Sequence, residues 1–406
     1  MKKEEHHQES PPDHHLKLQP TAEEAESIIV QEEEEERARC EWDFNLRATV
    51  SSSSSSTVSD ALGVIECDPY DRLLATGGIA RKIRLYPLHT LLPPIDDSAP
   101  PQQLDHAAAC SRCICTPAKL SSLRWRPHAG GAVIGCGDYD GVVTEYDLER
   151  GIPTFERDEH GGRRVWSVDY SNSHPAIGAS GSDDGTAQLW DPRCEGGECV
   201  AAVRPSVTGC AVCCVEFGSG AGSVLAVGCA DRRVYVYDAR MMVHPVLILE
   251  GHAKTVTYVK FLDETSTLVS SAIDGSLKLW DLKSSQAAAV RTYRGHSNSR
   301  NFVGLSVWAR GGLLGCGSEN NRAFVYDRRW GEPIWVHGFE PAGFGSEQQQ
   351  QHGGGFVSSV CWKRGVEDDG GECCTFVAGG SDGSLRVFEG TKKTAGDDGP
   401  AVTFRR

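Results

Sequence analysis

The sequence contains no run of about 20 apolar residues, the length that a membrane-spanning helix needs. Its first residues, MKKEEHHQES, are polar and charged, and they lack the apolar core of a secretory signal peptide. We therefore expect an intracellular protein with no membrane partner.

Positive charge is in the minority, since 41 Lys and Arg against 56 Asp and Glu give a net charge of −15. Residues 1–40 hold twelve acidic residues and five Lys or Arg, and they include the run EEEEE at 32–36. This composition predicts a disordered acidic tail over residues 1–40. The rest of the chain is mildly acidic, which disfavours direct binding of nucleic acid.

The sequence also lacks the patterns of catalytic and cofactor sites. It has no evident pair of catalytic carboxylates and no phosphate-binding loop, since the strings GGIA and GGSDG are typical of hairpin turns. Cysteine is plentiful at 16 residues, but Cys110, Cys113 and Cys115 have only half of a metal-ligand pattern. We predict reduced thiols, no metal, no cofactor and no enzymatic activity.

What the sequence does contain is a repeat that ends on an aromatic residue followed by Asp. The clear copies are Tyr146-Asp147, Trp190-Asp191, Tyr237-Asp238, Trp280-Asp281 and Tyr326-Asp327. Their Asp residues are 44, 47, 43 and 46 residues apart, close to the period of WD-repeat blades. With looser copies at Tyr86-Pro87 and Phe388-Glu389, seven units can be counted. The pattern predicts an all-β fold, a seven-bladed WD40 β-propeller.

The predicted propeller spans residues 41–390, and residues 391–406 are predicted to form a C-terminal tail. Two insertions, at about 88–117 and 341–355, are rich in turn-forming or polar residues, and the first is predicted to be an exposed loop. Trp42 and Phe44 lie in a polar stretch before a serine run at 51–56. We predict that this stretch adds a strand to the last blade and so removes an open sheet edge.

Two repeats carry a full set of four residues at the spacing of a WD-repeat tetrad. These are His160, Ser180, Asp184 and Trp190 in the third repeat, and His252, Ser270, Asp274 and Trp280 in the fifth. We predict a buried chain of hydrogen bonds in each, linking Trp to Ser, Ser to His and His to Asp. Hydrolases also use Ser, His and Asp, but a catalytic nucleophile is expected once rather than in two repeats.

Several strings resemble a known family of plant propellers. SSLRW, GDYDG, RRVWSVDYS, GHAKTVTYVKFL and RGHSNSRNFVGL resemble the propeller of the constitutive-photomorphogenesis E3 ubiquitin ligase. CEWDF, the serine run and GVIECDPYDRLLATGGIARKIRLYPL resemble the repressors of UV-B photomorphogenesis, a related WD-repeat family. The resemblance extends from about residue 40 to residue 389.

The resemblance implies a groove on one propeller face that binds Val-Pro peptides with acidic flanks. Matching the ligase motifs residue by residue gives Lys119, Tyr139, Arg164, Trp166, Lys254 and Phe302 as the peptide-binding residues. Aromatic rings suit Val and Pro, and cations suit flanking carboxylates. In one departure, Ser299 stands where the ligase has an acidic residue. The alternative interpretation is that Trp166 and Phe302 are core residues and Lys254 is simply solvated.

A second motif is Trp190-Asp191-Pro192-Arg193, with weaker copies at residues 237–240 and 326–329. A repeat that ends in Trp-Asp-x-Arg resembles the segment by which receptor subunits dock on the adaptor of cullin-RING ligases. The resemblance implies a docking role for Trp190, Asp191 and Arg193. Alternatively, Arg193 only pairs with Asp191.

The functional hypothesis that follows is a non-enzymatic negative regulator of UV-B signalling, located in the nucleus and cytoplasm. By resemblance, it binds the Val-Pro tail of the UV-B photoreceptor, competes with the ligase and promotes photoreceptor re-dimerisation. An alternative is a substrate receptor of a cullin-RING ligase that recruits transcription factors with Val-Pro motifs. Whether the acidic tail competes for the groove stays open at this point.

Overall fold

The computed structural model describes residues 35, 37–52, 59–92, 100–174, 177–194, 199–220, 223–284, 288–339, 355–365 and 373–393. Most of the predicted acidic tail, most of the serine run and all but the last residue of the second insertion lie outside these residues. In the part of the chain that the structure describes, no helix has both the length and the apolar character to cross a bilayer.

Almost all of the regular secondary structure in the described residues is strand. The strands of the first half are β1 (Trp42–Ser51), β2 (Leu62–Cys67), β3 (Leu73–Gly78), β4 (Lys82–Pro87), β5 (Gln102–Asp105), β6 (Arg112–Cys115), β7 (Leu120–Trp125), β8 (Val133–Asp138), β9 (Val143–Asp147), β10 (Ile152–Arg157), β11 (Val165–Tyr170), β12 (Gly178–Ser182), β13 (Ala187–Trp190) and β14 (Cys199–Val203). The remaining strands are β15 (Val212–Phe217), β16 (Val224–Cys229), β17 (Arg233–Asp238), β18 (Leu247–Glu250), β19 (Val256–Phe261), β20 (Thr267–Ala272), β21 (Ser276–Asp281), β22 (Ala289–Tyr293), β23 (Leu305–Trp308), β24 (Leu313–Cys316), β25 (Arg322–Asp327), β26 (Pro333–Gly338), β27 (Val357–Trp362), β28 (Cys373–Gly380) and β29 (Leu385–Lys392). Two short helices, α1 (Leu88–Leu91) and α2 (His106–Ala109), lie in the first insertion, and residues 37–40 before β1 are also helical.

These strands form seven sheets, which confirms the predicted seven-bladed propeller. The first six blades are β2-β3-β4-β6, β7 to β10, β11 to β14, β15 to β18, β19 to β22 and β23 to β26, and the seventh is β27-β28-β29-β1-β5. The innermost strands β2, β7, β11, β15, β19, β23 and β27 each contact the next one, and β27 contacts β2. The ring is therefore closed, with a channel along its axis.

Packing between neighbouring blades explains the small residues of the second strand in each blade. In β12, GASGS, all five residues are buried because the strand lies inside the sheet and between two other blades. Gly181 shows the constraint, since a Cβ there would lie 2.6 Å from the Val212 side chain of the next blade. Close packing of this kind leaves no room for larger side chains.

The N-terminal strand closes the ring, as predicted from Trp42 and Phe44. β1 pairs antiparallel with β29, and β5 pairs parallel with β1 at the outer edge. Trp42 and Phe44 are 8% and 7% exposed, and they pack in the core between blades six and seven. The added strand covers an edge that would otherwise present unpaired backbone groups.

Two boundaries differ from those predicted. Residues 37–40, assigned to the disordered tail, are helical because Ala38 is fully buried and the Arg39 guanidinium lies 5.0 Å from the centre of the Trp330 ring. At the other end β29 continues to Lys392, two residues past the predicted limit, because Lys392 is paired with Trp42 of β1.

The first insertion is also more ordered than the predicted exposed loop. It contains α1, β5, α2 and β6, and β6 pairs with β4 as the outer strand of blade one. Ile114 of β6 is only 5% exposed and belongs to the core between blades one and two. Burial of this apolar side chain explains why the end of the insertion is part of the propeller.

Adjacent strands within the first six blades are antiparallel, and this places the loops on two faces. The loop that enters an inner strand and the turn between the second and third strands lie at one end, here called the upper face. Turns between the first and second strands, and between the third and fourth, lie on the lower face.

Candidate functional site

The upper face carries a row of stacked side chains over the channel mouth, here called the stacked bar. Its members are Tyr139, Arg164, Trp166, Phe302 and Tyr258. They come from blades two, three, five and six, so residues far apart along the chain meet at one place. Four of the six predicted peptide-binding residues are members of this bar.

Trp166 reaches the upper face because of a β-bulge. In blade three the pairing of β11 with β12 shifts between Val165 and Ser167, so Trp166 has no partner residue. A bulge bends its strand and redirects the side chain of the extra residue. The same shift occurs at the corresponding position of the inner strands β2, β7, β15, β19 and β27, but there the extra residue is Gly, Ser, Cys or Thr.

The bar is tightly packed. The Arg164 guanidinium lies 4.2 Å from the centre of the Tyr139 ring and 4.5 Å from that of Trp166. The Trp166 and Phe302 rings are parallel within 2° and their centres are 4.3 Å apart. Because this spacing leaves no gap for an aliphatic side chain, a peptide would have to pack on the outer edges of the rings.

The alternative that Trp166 and Phe302 are core residues does not match their exposure. Both side chains are half-buried, and Tyr139 is half-buried as well. Core aromatics of this protein, such as Trp280 at 1% exposed, have almost no accessible surface. An accessible aromatic surface of this kind can bury apolar groups of a ligand.

The predicted cations differ in their surroundings. Lys119 and Lys254 are exposed, and neither forms an ion pair with any residue that the structure describes. Arg164 is instead held between two rings, where its charge interacts with their π faces. The two lysines are therefore the cations best placed to meet carboxylates of a ligand.

Sequence reasoning missed Asp183 and Tyr258, two residues that support the bar. The indole N–H of Trp166 donates a 2.6 Å hydrogen bond to Asp183 in the neighbouring turn of blade three. Tyr258 meets Phe302 edge to face, with ring centres 5.8 Å apart. A signal for Tyr258 existed, because it is an aromatic at the third position of an inner strand, where β7, β11 and β27 have serine.

Below the bar, a layer of charged side chains crosses the channel, whose volume is about 680 Å³. Arg124 forms ion pairs with Glu66 at 2.7 Å, with Asp169 at 2.8 Å and with Glu216. Burial raises the pKa of Asp169 to about 6, although the Arg124 guanidinium opposes that rise. Since each ion has partners, this layer is a structural network inside the ring rather than part of the upper surface.

The fifth blade contains the predicted tetrad as a continuous chain. Trp280 donates its indole N–H to Ser270 at 2.8 Å, Ser270 Oγ lies 2.7 Å from His252 Nε2, and His252 Nδ1 lies 3.1 Å from Asp274. Burial raises the pKa of Asp274, but hydrogen bonds from His252 and Ser276 lower it further, to well below its usual range. The loop before β19 and the turn between β20 and β21 are thus tied to strands β20 and β21 through polar side chains.

In the third blade the tetrad is incomplete. His160 contacts Ser180 at 2.8 Å and Asp184 at 2.9 Å, but the buried Trp190 indole N–H has no hydrogen-bond partner among the described residues. Its ring stacks on Phe155 and meets Tyr170 edge to face, with centres 5.6 and 5.4 Å away. These ring contacts fix the indole where the predicted bond to Ser180 is not made.

The predicted docking motif lies on the lower face, opposite the stacked bar. Trp190 is fully buried, so in this structure it has no surface for direct contact with a partner. Arg193 Nη2 donates to Asp191 at 2.7 Å, and its side chain is 71% exposed. Arg240 repeats this arrangement with Asp238 in blade four. The pairing of Arg193 with Asp191 is therefore present, and the outer surface of the guanidinium remains accessible.

Arg329, the third arginine that follows an aromatic-Asp pair, differs from Arg193 and Arg240 in its contacts and its exposure. It pairs with Asp327 and also with Glu41, which precedes β1, and its side chain is 28% exposed. The N-terminal segment thus covers the motif of blade six. Any docking surface built from these arginines would lie on blades three and four.

The cysteines show no arrangement for a metal. None of the 16 is in a disulfide, and in the described parts of the chain no three His, Cys, Asp or Glu side chains converge on a common point. Burial raises the pKa of Cys136 and Cys316, which occupy the tetrad serine position in blades two and six. These thiols act as small apolar side chains.

The fold and the upper surface define a seven-bladed WD-repeat propeller with an aromatic site at its channel mouth. Residues 165–327 match the β-propeller family described as nucleolar protein 10-like, N-terminal domain. The chain is 59% identical over 339 residues to WD repeat-containing protein RUP2 of Arabidopsis thaliana, covering 82% of this chain and 89% of that protein. For RUP1 of the same plant the identity is 57% over 354 residues, covering 87% and 86%. The chain belongs to the RUP family of WD repeat-containing proteins.

The resemblance to a ligase propeller is confirmed as well. The chain is 36% identical over 325 residues to E3 ubiquitin-protein ligase COP1 of Pisum sativum, covering 80% of this chain but 44% of that protein. The similarity therefore concerns less than half of the ligase.

Proposed function

We propose that this protein is a non-enzymatic, negative regulator of UV-B photoreceptor signalling that binds the Val-Pro tail of the photoreceptor. One observation carries the proposal: Tyr139, Trp166 and Phe302, which are far apart in the sequence, meet in one accessible stack over the channel mouth. Membership of the RUP family supports it, because resemblance to that family suggested this ligand.

The chemistry of the upper face suits such a peptide. Burial of Val and Pro against the ring edges stabilises a complex by about 1.5–3 kcal/mol for each side chain. Lys119 and Lys254, both exposed, supply charge for acidic flanking residues. Ordering of the peptide offsets part of this gain, so we expect a dissociation constant of about 1 µM for an isolated peptide.

In this proposal the photomorphogenesis ligase and this protein compete for the same peptide. Competition needs no bond chemistry, since whichever protein is bound excludes the other. To speed the return to the dimer, the protein has to bind a dimerisation-competent conformation of the monomer more strongly than the signalling conformation. We further propose that it acts in both nucleus and cytoplasm, and a fluorescent fusion confined to one compartment would contradict that.

Peptide binding is tested with Trp166→Ala and a matched variant, Trp335→Ala. Trp335 is also half-buried, but it packs against Phe44 and Phe388 on the outside of blade six. In titration calorimetry with the Val-Pro peptide, Trp166→Ala should lose at least about 2 kcal/mol of binding free energy, or about 30-fold in affinity. Trp335→Ala should bind as the parent protein does. Equal affinities of all three proteins would show that the bar is not the peptide site.

Re-dimerisation is tested separately, by following photoreceptor monomers after UV-B with and without the protein. We expect faster return to the dimer with the parent protein and no acceleration with Trp166→Ala. Identical rates in the presence and absence of the parent protein would refute this part of the proposal.

A second candidate function is a substrate receptor of a cullin-RING ligase that recruits transcription factors with Val-Pro motifs. The observation that favours it is the position of Arg193 and Arg240, both more than 70% exposed on the face opposite the bar. A substrate on the upper face would leave these arginines free for an adaptor. Arg193→Ala combined with Arg240→Ala should then lose the purified adaptor while keeping the peptide, and full retention of the adaptor would exclude docking through this motif.

A further inference from the structure

We infer that Glu319 is a positioning residue for the upper-face site, because its carboxylate fixes the loop that presents Phe302. The inference depends on the proposed function, since the loop is positioned for the peptide proposed above. Residues 299–301 with Glu319 are here called the Glu319 clamp.

Within the Glu319 clamp, residues 299–301 donate five hydrogen bonds to the Glu319 carboxylate. Oε1 accepts the backbone N–H of Arg300 at 2.8 Å, the backbone N–H of Asn301 at 2.7 Å and the Asn301 side-chain amide at 3.0 Å. Oε2 accepts the backbone N–H of Ser299 at 2.9 Å and its hydroxyl at 2.7 Å. Three consecutive residues just before Phe302 are thus held by one side chain from the turn after β24.

The carboxylate is suited to this task because it only accepts hydrogen bonds when it is ionised. Burial raises the pKa of Glu319, and the donors from Ser299, Asn301 and Arg300 lower it to a value below the usual one. The group is therefore ionised at neutral pH. A neutral amide in its place would turn an N–H₂ group toward backbone N–H donors.

Fixing this loop matters because Phe302 does not lie in a strand. It precedes β23 by three residues, and its ring is positioned by the loop and by contacts with Trp166 and Tyr258. On the far side of the bar, Asp183 holds Trp166 by a single hydrogen bond. Without the clamp the loop has to be ordered when a ligand binds, and that ordering lowers affinity.

The test uses Glu319→Gln, with Asp382→Asn as the matched control. Asp382 makes the equivalent kind of contact in the upper-face turn of blade seven, where it accepts the N–H and hydroxyl of Ser384 at 2.9 and 2.7 Å. We expect Glu319→Gln to weaken binding of the Val-Pro peptide about tenfold, the factor for ordering about one residue on binding. Asp382→Asn should leave the affinity unchanged.

Three further measurements separate positioning from general damage and from loss of charge. In the Phe302→Leu background, adding Glu319→Gln should have no further effect on affinity, because the clamp acts through Phe302. The loss caused by Glu319→Gln should be the same at low and high salt, whereas an effect of charge alone would shrink with salt. In the free protein, hydrogen exchange of the amides of residues 299–301 should become faster in Glu319→Gln with a nearly unchanged melting temperature.

The outcomes distinguish the two proposals. A parent protein that fails to bind the peptide refutes the proposed function. A parent protein that binds, together with Glu319→Gln that binds equally well, overturns the role of the clamp. A tenfold loss that persists undiminished in the Phe302→Leu background would overturn it as well.

Discussion

The two tryptophans at the centre of the third and fifth blades offer a test of how much a tetrad hydrogen bond contributes. Trp190 and Trp280 occupy equivalent positions and are 0% and 1% exposed. The indole N–H of Trp280 donates to Ser270 at 2.8 Å, whereas that of Trp190 has no partner among the described residues. Replacing each by Phe removes the same atoms from a buried site, and only one of these changes breaks a hydrogen bond.

The expected magnitudes follow from this difference. Both variants lose apolar contact and leave a cavity, a cost below the roughly 3–5 kcal/mol of a full Trp→Ala truncation. Trp280→Phe also loses a hydrogen bond whose net contribution is about 1 kcal/mol. Trp190→Phe instead removes a buried, unpartnered donor, which relieves a desolvation cost of about 1–3 kcal/mol. We therefore expect Trp280→Phe to be the more destabilised variant by at least about 2 kcal/mol.

Urea unfolding followed by circular dichroism measures the free energy of unfolding of both variants and the parent protein. Ser270→Ala and Ser180→Ala provide the control from the acceptor side, and Ser270→Ala should be the more costly because Ser270 also accepts from Trp280. Equal losses for the two Trp→Phe variants, or a larger loss for Trp190→Phe, would refute the reasoning.

Three further predictions concern stability. Hydrogen bonds lower the pKa of Asp274, so its contribution is present above the unfolded value of about 4 and is lost as pH falls below it. Asp274→Asn should lower the free energy of unfolding at pH 7, and below pH 4 this free energy should fall less steeply in the variant than in the parent protein. Parallel curves of unfolding free energy against pH for the two proteins would contradict this. Arg124→Met removes the cation shared by Glu66, Asp169 and Glu216. It should lower the free energy of unfolding, measured with urea, by about 3–5 kcal/mol. A loss below about 1 kcal/mol would show that other cations replace Arg124. Phe44→Ala should cost about 3–5 kcal/mol by opening the core beneath β1, and an unchanged melting temperature would mean that this strand does not contribute to ring closure.

Much of the fold could be predicted from the sequence because its signals are local. The spacing of the aromatic-Asp pairs indicated seven blades, and the alternation in strings such as VWSVDY indicated strands. The four residues of the fifth-blade tetrad were recognisable because a repeat brings the same positions together in every copy. Trp42 and Phe44 indicated a packed strand because aromatic residues in a polar segment need a surface to cover them.

Parts of the site were not predictable from such signals. Asp183 and Glu319 are ordinary turn acids by their sequence, and only the folded loops show that one holds Trp166 and the other holds the residues before Phe302. Trp190 matched its motif, yet its ring packs against Phe155 and Tyr170 and its N–H makes no hydrogen bond to the expected acceptor.

The number of blades, the strand pattern and the residue types available on each face could be inferred from the amino-acid sequence, because they depend on neighbours within one repeat. Tertiary structure alone decided that Trp166 of blade three stacks on Phe302 of blade six, and that Glu41 covers Arg329. Such contacts exist only once the ring has closed, since closure brings residues from distant repeats to the same side of one channel.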